Sequence, residues 1–141
     1  MTKERKKLKQ IKSEHIIFLY NLISKDGSIK FGIPQTTVGV LESILSTVND
    51  TFFGIERYNN KKLKAVALLY FLIKDHPFID GNKRLAIIVF EVFCEVNELV
   101  YKYPSQDLDA MAIFIEQEKT NDHYEFIIKL THLIFNGYQY F

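Results

Sequence analysis

Residues 75–84 read DHPFIDGNKR, which puts an imidazole, two carboxylates, a carboxamide and two cations into ten positions between strongly apolar stretches. A plain helix-to-helix connection explains part of this. Pro77 breaks the preceding helix, Asp80-Gly81 makes a turn, and Asn82 caps the next helix. That reading leaves His76, Lys83 and Arg84 without a purpose. Lys83 and Arg84 fall in the first turn of a helix, where the positive end of the dipole disfavours each exposed cation by about 0.3–1 kcal/mol. The expectation is therefore that an anion sits at the helix mouth, held by free backbone N–H groups, and a phosphate fits. Gly81 would let the backbone approach it closely. Asp80 beside such an anion is a candidate Mg²⁺ ligand, since Mg²⁺ takes one or two protein oxygens and completes its shell with water and phosphate. His76 stands across the turn, where an imidazole can take the proton of an attacking hydroxyl.

Rival chemistries are weaker. His76 and Asp80 have the i, i+4 spacing of a helical metal pair, but Pro77 and Gly81 argue against a helix between them. His15, His123 and His132 stand alone as surface or capping residues, so no zinc set is completed. There is no GxxxxGK[ST] phosphate loop either.

The elements that must position these groups read as helices. Ser13 caps a first helix carrying Ile16, Leu19, Tyr20 and Ile23, and Gly27 stops it. Thr36 or Thr37 opens a second with Val40, Leu41, Ile44, Leu45 and Val48. TFFGIERYNN, residues 51–60, forms a short hairpin or an ordered loop. KKLKAVALLYFLIK, residues 61–74, is a helix ended ahead of Pro77. Residues 83–96 are apolar nearly all round from Leu85 to Cys94, which marks the central buried helix. After the extended ELVYKYPSQ, two amphipathic helices follow, the last capped by Asn121 or Asp122 and stopped by Gly137.

Composition sets the class. A chain of 141 residues, 48% apolar and 25% charged, suits one soluble all-α domain. Residues 13–141 are expected to form it, with 1–12 as a mobile basic arm holding six Lys or Arg against one Glu. A net charge of +1 gives no reason to expect nucleic-acid binding. Cys94 is the one cysteine and reads as a buried, inert thiol. The longest apolar run, Ala65 to Ile73, is too short to cross a bilayer, which needs about 20 residues. No secretory signal pattern is visible, so a cytoplasmic protein is expected.

HPFIDGNKR resembles the signature of the Fic/Doc family, H-x-F-x-D/E-G-N-G/K-R. His76, Phe78, Asp80, Gly81, Asn82 and Arg84 meet its constrained positions. LESIL and KAVALLYFLIK also resemble the death-on-curing (Doc) branch, and the likeness covers roughly residues 13–100. The resemblance implies a compact helical Fic fold and transfer of a phosphate-containing group from ATP or another nucleoside triphosphate to a protein hydroxyl. It implies His76 as general base, Asp80 on Mg²⁺, Asn82 and the amides after Gly81 on phosphate, Arg84 on the distal phosphates, and Phe78 packed in the core. Lys83 stands where AMP-transferring members carry glycine, and Ile87 where they carry a second arginine. Both departures resemble the Doc branch and favour a protein kinase, with AMP transfer and a catalytically silent binding module as alternatives. Phe52, Phe53, Gly54 and Ile55 fall at the family's flap, which could pair with a target's backbone. The family's inhibitory S/T-x-x-x-E-G/N motif does not stand out, so the resemblance implies a toxin with a separate antitoxin chain.

Overall fold

The computed structural model describes residues 10–29 and 32–137, apart from the Phe52 side chain. Nine of the twelve residues of the basic arm therefore lie outside the described part. In chain order the helices are α1 (Ser13–Ile23), α2 (Thr37–Asn49), α3 (Lys61–Lys74), α4 (Asn82–Val96), α5 (Leu108–Gln117) and α6 (His123–Asn136). Short 3₁₀ turns at Ser24–Asp26 and Ser105–Asp107 extend α1 and lead into α5. Between α2 and α3 lies a minimal antiparallel hairpin, β1 (Thr51–Phe52) with β2 (Ile55–Glu56), registered Thr51 to Glu56 and Phe52 to Ile55. The all-α expectation holds, with a short hairpin at residues 51–56.

α3 is the central helix. It packs against α2, α4, α5 and α6, and Leu63 through Tyr70, with Leu72 and Ile73, are all buried. The apolar look of Leu85 to Cys94 pointed to α4 instead, and that expectation is corrected. α4 buries Leu85, Ala86, Val89, Phe90, Phe93 and Cys94, but Glu91 and Glu95 face solvent and Ile87 is only half-buried. α3 sustains its burial because even its one charged core residue is accommodated. Lys64 is 2% exposed, and its Nζ donates to Val48 O at 3.1 Å and lies 3.8 Å from Glu56. Burial lowers its pKa, with Glu56 pulling the other way.

Local chemistry sets the helix ends. Asn60 Oδ1 accepts from Leu63 N–H at the start of α3, and Asp122 Oδ1 accepts from Glu125 N–H at the start of α6. Gly137, in the left-handed region, closes α6. α1 departs from expectation: Lys12 is its N-cap, with the Lys12 N–H donating to His15 Nδ1 at 2.9 Å. Ser13 is already helical and gives its hydroxyl to Glu42 Oε1 on α2, a bond to a neighbour that local spacing does not reveal. Cys94 is buried, and burial followed by Glu91 pushes its thiol to about 12, as an inert core residue requires. No helix among the described residues is long and apolar enough to cross a membrane.

Candidate active site

α3 ends at Lys74 and α4 begins at Asn82, so residues 75–81 form the loop between them. Pro77 prevents α3 from continuing, and His76 takes φ 46°, a left-handed conformation uncommon outside glycine. Such backbone persists only when the surroundings over-determine it. They do here. Thr37 Oγ1 donates to Pro77 O at 2.6 Å, Tyr20 OH donates to Asp80 O at 3.0 Å, and the Tyr20 ring stacks on Phe78 at 3.8 Å. Phe78 is 3% exposed, which is the core packing expected of it. His76 itself is exposed.

Asn82 has a different job from capping. Gly81 is the N-cap of α4, and Asn82, the first helical residue, turns back into the loop. Its Oδ1 accepts from Phe78 N–H at 2.9 Å and its Nδ2 donates to Phe78 O at 2.8 Å. The buried carboxamide thus satisfies both main-chain groups of Phe78. The first N–H of α4 to find a main-chain carbonyl is Leu85's, on Gly81, so among the described residues the amides of Asn82, Lys83 and Arg84 are the open donors of a helix start. Gly81 is required by φ 80° and by packing. A Cβ there would lie 2.6 Å from Ile29 Cδ1, so the close approach is made by a buried isoleucine.

The two cations are also explained differently. Lys83 Nζ lies 3.2 Å from both carboxylate oxygens of Glu116 on α5. Arg84 donates through NH1 to Ser28 Oγ at 2.6 Å and through NH2 to Asp26 Oδ2 at 2.9 Å. The expectation that only a bound anion could offset them is therefore corrected: distant parts of the chain supply carboxylates. Asp80 Oδ1 accepts from Gly81 N–H at 2.8 Å, and its Oδ2 has no protein partner among the described residues.

The loop thus carries His76, Asp80 and Gly81 directly ahead of the amides of Asn82–Arg84, and the Arg84 side chain is half-exposed. Residues 52–55, expected at a flap, sit on the hairpin, where Phe53 and Gly54 form a two-residue turn with φ 52° and 78°. Phe53 and Ile55 are exposed. A cleft of 740 Å³ lies by this hairpin, between the end of α2 and the start of α6, lined by Arg57, Tyr58, Phe71 and Tyr124 among others. Its lining includes none of residues 76–84. Sequence reasoning gave no role at this loop to Tyr20, Asp26, Ser28, Ile29, Thr37 or Glu116. The Gly27 helix stop was visible, but no spacing rule links its neighbours to Arg84.

Residues 8–94 match the family described as Fic/DOC family. A protein of Mycolicibacterium smegmatis named Toxin Doc is 34% identical over 73 residues, covering 50% of this chain and 56% of that protein. The match therefore spans little more than half the length of that relative. No solved structure matches the chain.

Proposed function

The chain belongs to the Fic/DOC family, and from that premise we propose that it transfers the terminal phosphoryl group of a nucleoside triphosphate such as ATP to a hydroxyl side chain of a target protein. The observation that carries this reading is the fixed Lys83 side chain. It stands in the first turn of α4 where a glycine would leave room, and Glu116 on α5 pairs with its Nζ at 3.2 Å. Ile87, one turn on, is half-buried and offers no charge to a phosphate. Both features disfavour seating the inner phosphates for AMP transfer.

In this reading the open amides of Asn82–Arg84 bind phosphate oxygens, Arg84 neutralises their charge, and Asn82 shapes the loop through Phe78. His76 accepts the proton of the target hydroxyl as its oxygen bonds to the terminal phosphorus. The bond from that phosphorus to the bridging oxygen breaks, and the diphosphate leaves with the electron pair. The products are a phosphoester on the target, a nucleoside diphosphate and a proton on His76. Asp80, whose Oδ1 accepts from Gly81 N–H, would hold Mg²⁺ through Oδ2 together with phosphate and water. Bound there, the ion would neutralise charge on the phosphates.

The relative's name, Toxin Doc, supports extending the reading to a cytoplasmic toxin restrained by a separate antitoxin chain. Mass spectrometry of a target incubated with the protein and MgATP tests the chemistry. A gain of one phosphate is expected; a gain of one AMP would replace phosphoryl transfer with AMP transfer, and an unmodified target would favour the silent binding module.

A further inference from the structure

We propose that Asp26, fixed by Ser28, is a positioning residue that orients the Arg84 guanidinium toward a phosphate at the mouth of α4. The inference rests on the helix-mouth reading above and adds a residue from outside the loop. Arg84 is 46% exposed, so no core packing selects its rotamer. What holds it is a closed ring of hydrogen bonds. NH2 donates to Asp26 Oδ2 at 2.9 Å and NH1 donates to Ser28 Oγ at 2.6 Å. Ser28 Oγ donates in turn to Asp26 Oδ1 at 2.6 Å, and Ser28 N–H donates to the same oxygen at 2.8 Å.

The carboxylate is thus fixed by its own turn before it meets the arginine. Gly27, with φ 80°, makes that turn available, and Ile29, 9% exposed, anchors the segment against Gly81 at the start of the same helix. Asp26 and Arg84 are therefore tied to one rigid spot. A guanidinium has five N–H donors in a planar fork, and this ring uses two of them, so among the described residues three stay available to an incoming anion. A competitor for Arg84 would need to leave when phosphate arrives. Asp26 has no such need, because both of its oxygens keep protein partners while the rest of the fork binds. The two Ser28 hydrogen bonds, then Arg84, also hold its carboxyl well below the usual carboxylate range, so it stays charged.

Calorimetric titration of the full chain with MgATP tests this. Asp26→Asn should weaken binding about tenfold, the low end of what removing an outer partner of a binding group costs, with an unchanged melting curve. Asp26→Glu should recover most of the affinity. In an Arg84→Ala background, Asp26→Asn should add less than about a twofold further loss, because its effect passes through the arginine. If Arg84→Ala weakens binding while Asp26→Asn binds as well as or better than the unaltered chain, the inference is overturned and Asp26 is idle or a competitor. If the unaltered chain does not bind MgATP, or Arg84→Ala leaves affinity unchanged, the helix-mouth reading falls and this inference with it. Should Asp26→Asn fail to fold, Ser28→Ala, which removes one bond to each partner, carries the same test.

Discussion

The loop at 75–81 and the hairpin at 51–56 carry the residues proposed to serve the chemistry and to meet the target, and they are built in opposite ways. The loop has almost no regular structure, yet its turns are tied from several directions: Thr37 to Pro77, Asn82 to Phe78, Tyr20 to Asp80, Ile29 against Gly81. The hairpin has regular structure but little support among its described side chains. It pairs two residues per strand, exposes Phe53 and Ile55, and places Glu56 3.8 Å from buried Lys64. An isolated two-stranded hairpin is at best marginally stable in water. Chemistry at phosphorus needs groups held to about half an ångström, whereas a recognition edge can gain order when its partner arrives. The difference matches those two demands.

The sharpest test of the contrast uses two glycines with nearly equal φ. Gly81→Ala should cost about 2–5 kcal/mol, from the left-handed backbone and the clash with Ile29, read as a shift in the denaturation midpoint. Gly54→Ala, at φ 78° with nothing within 4 Å, should cost only about 1–2 kcal/mol. Equal losses would mean that the loop is no more tightly packed than the hairpin. Asn82→Ala comes next in size. It strands the buried N–H and C=O of Phe78 and should destabilise by about 2–4 kcal/mol. Smallest is Phe53→Ser at the exposed hairpin tip, expected within about 0.5 kcal/mol of the parent. If the flap meets the target, that change lowers kcat/KM for the protein substrate while leaving MgATP affinity unchanged.

Local chemistry made much of this legible. The span of α3, the Asp122 cap, the Gly137 stop and the hairpin follow from periodicity, caps and breakers within a few residues. Readings that needed distant partners failed. Lys83 and Arg84 looked misplaced at a helix start because Glu116 lies 33 residues away and Asp26 58 residues away. α4 looked central because its apolar content hides an exposed stripe, while α3 buries even Lys64, which needs Val48 O beside it. The loop itself stood out because its residues are contiguous. Its support did not, because it comes from α1, α2 and the 26–29 segment.

The central claim is that His76 serves phosphoryl transfer at this loop. Incubating the protein and its His76→Ala variant with γ-labelled or α-labelled ATP, Mg²⁺ and a cell lysate tests it most directly. The account predicts γ-label on a protein target, no α-label, and a rate reduced about 10²–10⁴-fold by His76→Ala, the usual contribution of a general base. Transfer of α-label, or equal transfer by the variant, would contradict it.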